Sequence, residues 1–228
     1  MHLDNKKLIL LDMNSTFMFG EDNFSDSEDY SEYYFTLAGG MSKQSINTLI
    51  RDTYNYLDIK YPQEKYQNCF PSLEEAICMV SPVKLDKIEL QKVINTFAYH
   101  EIGHIPLEYI KALKKLSQKY ILAAIIDIWA PKDAWVKLFK KHGIFDLFSE
   151  ISFSSECGIV KPSKIPFCNV LKKLDISKND VVMIGDSVRR DLGGAKAAGI
   201  DTILIGDKNH SDALAGYVSL LNLVDEIK

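Results

Sequence analysis

Leu8-Ile9-Leu10-Leu11-Asp12 is a short apolar run that stops at a carboxylate. Such a run fits a parallel strand buried on both faces, with a polar residue at its carboxyl end. Similar runs recur at residues 121–126, 181–184 and 202–205. Helical patterns lie between them. Residues 106–116 carry Leu107, Ile110, Leu113 and Leu116 at helical spacing, with lysines between. Residues 132–142 and 165–174 read as helices, the first closed by Gly143, and residues 191–198 form another closed by Gly199. Strands alternating with helices predict an α/β fold with a doubly wound, right-handed parallel sheet of the Rossmann-like kind.

Residues 20–100 break this rhythm. No clear buried strand occurs there, and aromatic and polar residues mix at mostly helical spacing. Residues 42–56 and 85–99 are the better helix candidates, and the acidic stretch 20–32 reads as a solvated loop. The expected division is an α/β core of residues 1–19 and 101–228, with a helical insertion over 20–100.

A chain of 228 residues suffices for one good core plus such an insertion. A net charge of −4 without a Lys/Arg block argues against nucleic acid or an anionic membrane as the main partner. Cys69, Cys78, Cys157 and Cys168 lie far apart, which suggests neither a zinc knuckle nor a disulfide framework. Reduced thiols, no basic n-region before an apolar stretch, and no apolar run near the roughly 20 residues of a membrane helix lead us to expect a cytoplasmic protein.

In an open α/β sheet, ligands bind beyond the carboxyl ends of the strands, where the strand order reverses. Several strand ends bring charged groups there. Asp12 ends the first strand and Asp127 ends residues 121–126. Lys161 follows a short segment at 151–154 and the turn Gly158-Ile159-Val160. Asp186 follows 181–184, and Asp191 begins the next helix. Converging carboxylates repel unless a cation, a proton or a strong hydrogen-bond network offsets them. Oxygen ligands alone favour a hard ion such as Mg²⁺, and Lys161 adds a fixed positive charge suited to an anionic group.

Asp12-Met13-Asn14-Ser15-Thr16 resembles the first motif, D-x-D-x-T, of the haloacid dehalogenase-like hydrolase superfamily. Gly158-Ile159-Val160-Lys161-Pro162 resembles its lysine motif. Gly185-Asp186-Ser187-Val188-Arg189-Arg190-Asp191 is similar to its G-D-x-x-x-x-D motif. The insertion falls where that family carries a helical cap. The resemblance implies a Mg²⁺-dependent phosphatase acting on a small phosphorylated substrate. Asp12 would be the nucleophile that forms an aspartyl-phosphate, and Asp12, Asp186 and the backbone carbonyl of Asn14 would hold the cation, supported by Asp191. Lys161 would orient Asp12 and the phosphate, with Asp127, Ile128 and Ser187 also around the substrate, while the cap would exclude water.

Two departures stand out. Asn14 occupies the place of the family's acid/base carboxylate, and an amide has no proton to exchange at neutral pH. Asp127 aligns with a Ser or Thr that binds phosphate. A carboxylate there must be protonated, turned away, or paired with a cation, unless the strand end lies a residue or two away. These departures point to altered or reduced chemistry, and they admit a non-enzymatic binding protein as an alternative.

A rival pattern is His100-Glu101-Ile102-Gly103-His104, which matches the H-E-x-x-H signature of zinc peptidases. Gly103 weakens a helix and Pro106 disfavours helix at Ile105, so the bland reading is a hinge between insertion and core. Trp129 and Trp135 read as packing residues. Tyr30, Tyr33, Tyr34 and Phe35 read as the core of the insertion. Arg189 and Arg190 read equally well as phosphate contacts and as a surface pair.

Overall fold

The computed structural model describes residues 3–227. Its sheet holds β1 (Leu8–Leu11), β2 (Ile121–Ile126), β3 (Phe148–Phe153), β4 (Val181–Gly185), β5 (Asp201–Ile205) and β6 (Ala215–Tyr217). All pairings are parallel, in the spatial order β3-β2-β1-β4-β5-β6. The alternation of side chains along a strand explains why β1 is apolar throughout. Leu8 and Leu10 face one layer with Ala123, Ile125, Val181 and Met183, against Phe167, Val170 and Ala195. Ile9 and Leu11 face the other with Leu122, Ala124, Val182 and Ile184, against Leu113, Leu116, Trp135, Phe139 and Leu223.

The first of these layers is built by α8 (Ile165–Leu174) and α9 (Gly193–Ala198), and the second by α5 (Leu107–Ser117), α6 (Asp133–Lys141) and α10 (Leu220–Asp225). A single turn, α7 (Ser154–Cys157), follows β3, and a π turn at Val188–Leu192 leads into α9. Strand order runs outward from β1 through β2 to β3, then resumes on the other side of β1 with β4. The switch point therefore lies between β1 and β4, and Asp12 and Asp186 flank it.

Residues between β1 and α5 form α1 (Ser31–Thr36), α2 (Lys43–Lys60), α3 (Leu73–Val80) and α4 (Lys87–Glu101), with no named strand among the described residues. Ser42, Ser72 and Asp86 cap α2, α3 and α4 by accepting a backbone N–H, and Ser72 with Glu75 completes a capping box. Ile46, Ile50, Tyr30, Tyr34 and Phe97 fill this insertion and continue the second core layer. The chain enters and leaves it side by side, through an antiparallel bridge between Phe19 and His104. Trp129, just beyond β2, seats it on the sheet by touching the rings of Tyr54, Tyr61, Phe70 and Phe97. Trp135 is wholly buried. Among the described residues no helix is long and apolar enough to cross a membrane.

Gly194 in α9 is a place where packing outweighs helix propensity. Replacing glycine by alanine in a helix ordinarily stabilises by about 1 kcal/mol. A Cβ at Gly194 would lie 2.6 Å from the buried ring of Phe167. Overpacking of this kind costs about 1–3 kcal/mol. Gly194→Ala is therefore expected to lower the urea midpoint, and an unchanged or raised midpoint would show that α8 yields without strain.

Candidate active site

Asp12 leaves β1 directly, and its backbone N–H donates to Ile184 O on β4 at 2.9 Å. This bond ties the first strand end to the strand that carries Asp186. One carboxylate oxygen from each of Asp12, Asp186 and Asp191 lies within 4.8 Å of the others. Asp191, fully buried, accepts from the Ser187 N–H at 2.9 Å through one oxygen and from Lys161 Nζ at 2.8 Å through the other. Lys161 Nζ also donates to Asp12 Oδ1 at 2.5 Å. Gly185 makes the approach possible, because a Cβ there would stand 2.4 Å from Asp191 Oδ2.

Burial, then the Asp191 carboxylate, push the Asp12 carboxyl up to about 7 against the pull of Lys161. Burial opposes the charge on Lys161, but Asp12 and Asp191 outweigh it and raise the ammonium above its ordinary range. Lys208, on the loop after β5, donates from Nζ to Asp186 O at 2.6 Å and to Asp186 Oδ2 at 3.0 Å. Beside this trio the chain reverses tightly, with Ser15 at φ 56° and a bridge between Asn14 and Met18. The side-chain oxygen of Asn14 is buried without a hydrogen-bond partner. An oxygen-only donor set with an unsatisfied oxygen nearby fits a hard divalent cation such as Mg²⁺.

Asp127 stands at the end of β2 and is paired with the insertion. Its Oδ2 accepts from the Tyr61 hydroxyl at 2.7 Å and from the Lys161 N–H at 3.0 Å. Tyr61, the residue that ends α2, in turn accepts from Arg190 Nη1 at 3.1 Å. Burial raises the Asp127 carboxyl even though Lys161 and the Tyr61 hydroxyl favour its charge. Ile128 has its backbone fully engaged: its N–H donates to Ser154 Oγ at 3.0 Å, and the Ser154 hydroxyl donates to its carbonyl at 2.8 Å. Ser187 lies in the turn, where its hydroxyl accepts from the Arg190 N–H at 3.1 Å.

The H-E-x-x-H pattern does not form a metal site. Helix α4 ends at Glu101, and His104 lies beyond it, in the bridge to Phe19. His100 packs edge-on against Tyr30, with Nδ1 3.3 Å from Glu28 Oε1. Glu101 accepts the N–H groups of Trp129 at 2.6 Å and Ala130 at 2.8 Å. Gly103 explains the break: a Cβ there would lie 2.5 Å from Phe19 O, so the paired strands of the neck admit only glycine. Among the described residues, Asp12, Asp186 and Asp191 are the one group placed to hold a metal.

Comparison with known proteins gives a consistent picture. A family model described as haloacid dehalogenase-like hydrolase matches residues 41–205. A ribulose-1,5-bisphosphate 5-phosphatase of Halopiger xanaduensis is 35% identical over 74 residues, 32% of this chain and 31% of that protein. A glyceraldehyde 3-phosphate phosphatase of Methanopyrus kandleri is 30% identical over 120 residues, 50% of this chain and 51% of that protein. The chain thus spans from about a third to about half the length of these curated relatives. The solved structure of the HAD-hydrolase YfnB of Bacillus subtilis, bound to magnesium, superposes with a TM-score of 0.58 at 18% identity, covering 96% of this chain and 97% of that one.

Sequence reading singled out Asp12, Asn14, Asp127, Ile128, Lys161, Asp186, Ser187 and Asp191, all of which lie at this end of the sheet. It missed Tyr61, Lys208 and the clamp made by Glu101. Burial, then the nearby Asp22 carboxylate, push Glu101 up to about 8, opposed by its two N–H donors. Between the ordinary carboxylate range and that value, the folded protein holds a proton that the unfolded chain has released. Stability from this group is therefore lost as pH rises from about 4.5 to about 8. Glu101→Gln is expected to melt below the wild type at pH 5, with the gap narrowing by about 3 kcal/mol by pH 8. A gap that is constant with pH would show that Glu101 is ionised throughout.

Proposed function

Because the chain belongs to the haloacid dehalogenase-like hydrolases, we propose that it is a slow, magnesium-dependent phosphatase acting on a small phosphate ester. The observation that carries this reading is Lys161 Nζ bonded to Asp12 beside the carboxylates of Asp186 and Asp191. The phosphatases among its relatives support the phosphate ester. The proposed division is a core of residues 1–19 and 101–228 with a cap of residues 20–100.

Asp12, Asp186 and the carbonyl of Asn14 would hold Mg²⁺, with Asp191 in support. The donor chemistry favours that ion, which is also bound in the Bacillus subtilis neighbour. The cation would offset the charge of the phosphate and of Asp12. An oxygen of Asp12 attacks phosphorus, the bond from phosphorus to the ester oxygen breaks, and an aspartyl-phosphate forms. Lys161 holds Asp12 in line and faces the phosphate with a fixed positive charge. Water then attacks the aspartyl-phosphate and releases phosphate and free Asp12. The ester oxygen departs with its electron pair and needs a proton. Asn14 has none to give, and such help typically contributes ~10²–10⁴-fold. That absence is why the proposed enzyme is slow.

The second reading is a ligand-binding protein without turnover. It is favoured by one contact, the Tyr61 hydroxyl held on Asp127 where a phosphate oxygen would otherwise sit.

Hydrolysis of an aryl phosphate separates the two. The wild type is expected to turn over only with Mg²⁺ present, and Asp12→Asn is expected to abolish turnover. Activity that survives in Asp12→Asn, or no activity in a folded wild type, would sink the phosphatase reading. Asn14→Asp combined with Asp127→Ser restores the acid and the hydroxyl. It is expected to raise kcat by about tenfold or more, and no gain in a folded, Mg²⁺-binding variant would count against the account of Asn14 and Asp127.

A further inference from the structure

Arg190 is a cation at this site to which the proposed reaction assigns no task. Its Nη1 donates to the Tyr61 hydroxyl at 3.1 Å and its Nε to Ser187 Oγ at 3.4 Å, with the guanidinium 5.5 Å from the Tyr61 ring centroid. Both partners are neutral hydroxyls. Among the described residues Arg190 makes no ion pair, whereas Lys161 makes two and the more peripheral Arg51 makes one with Asp26. A guanidinium offers five N–H donors, so most of its capacity is unspent. The side chain is only partly exposed, and it feels the charges of Asp12 and Asp191 across the site. Those carboxylates, with Asp22 and Asp127, offset its burial without spending its remaining N–H donors, which stay available to grip an arriving anion directly.

The end of β2, by contrast, has little to offer an anion. Asp127 is a carboxylate held by Tyr61 and by the Lys161 N–H, and the Ile128 N–H is given to Ser154. A phosphate held by Lys161 therefore needs a second donor from another element.

We propose that Arg190, in place of the residue at the end of β2, binds the non-bridging oxygens of the substrate phosphate, and that the Tyr61 hydroxyl holds this position until substrate displaces it. The proposal rests on the phosphatase reading. The guanidinium fork suits two oxygens of one phosphate, which a lysine ammonium at the same place would grip less well. Arg189 makes the contrast. It points outward, exposed, and donates to Pro62 O.

The test is calorimetry of inorganic phosphate binding to the full chain with Mg²⁺, paired with aryl phosphate kinetics. Arg190→Gln is expected to weaken phosphate binding about tenfold and to raise KM by a similar factor with a smaller fall in kcat. Arg190→Lys keeps the charge and is expected to fall between the two. Arg189→Gln removes the same charge one residue away and is expected to bind within about twofold of wild type. Wild-type affinity in a folded Arg190→Gln overturns the proposal, and so does an equal loss in Arg189→Gln; in both cases the phosphatase reading stands if the wild type turns over. If Arg190→Gln fails to fold, an Arg190→Lys variant indistinguishable from wild type in affinity and KM overturns it. A wild type that neither binds nor hydrolyses phosphate ends both.

Discussion

The arrangement at the head of the sheet depends on one buried ammonium. Lys161, 3% exposed, bonds to Asp12 and Asp191 together. At about 4 Å and an effective dielectric of about 20, two like charges repel by about 4 kcal/mol. With Lys161 between them, Asp191 is free to turn its other oxygen to the Ser187 N–H and fix the π turn. The turn sets Arg190, Arg190 meets Tyr61, and Tyr61 joins α2 to Asp127. The order of the site passes outward from that nitrogen, from core to insertion.

The parts of this arrangement that are legible in sequence share a physical cause. β1, β2 and β4 are covered on both faces by helices, so they must be apolar throughout and must end abruptly at a polar residue. Asp12, Asp127 and Asp186 are visible for that reason. Gly185 and Gly103 are likewise forced, since each stands where another group leaves no room for a Cβ. The elements that escaped reading lack such a constraint. β6 is short and only partly buried, α1 is a six-residue helix whose Tyr33 stacks on Tyr99 of α4, and α3 is an eight-residue helix that buries only Leu73, Ala76 and Ile77. α2 runs on to Lys60, beyond its expected end, and so delivers Tyr61 to the sheet.

Pairings across the chain were out of reach for a different reason. Nothing local to Tyr61 marks it as the partner of Asp127, and nothing local to Glu101 marks it as the acceptor for Trp129 and Ala130. The histidines beside Glu101 match a metal motif that requires helical spacing to continue through Gly103, which Gly103 and Pro106 disfavour. The helix stops first, and the carboxylate serves backbone donors instead. A local pattern specifies chemistry only when the backbone geometry it presupposes is present.

The neck at Phe19 and His104 carries a further consequence. The two segments exchange both backbone bonds there, at 2.9 Å each, and the insertion is tied to the core a second time where the Phe70 N–H donates to Gly158 O, the Val160 N–H donates to Gln67 O and the Tyr61 hydroxyl donates to Asp127. Asp12 is fastened to β4 by its own N–H and needs none of these ties, so the floor of the site is held by the sheet alone. Exchange of the whole helical segment would leave that floor standing but strip Asp127 and Arg190 of their shared partner, so the rim of the site belongs as much to the insertion as to the sheet.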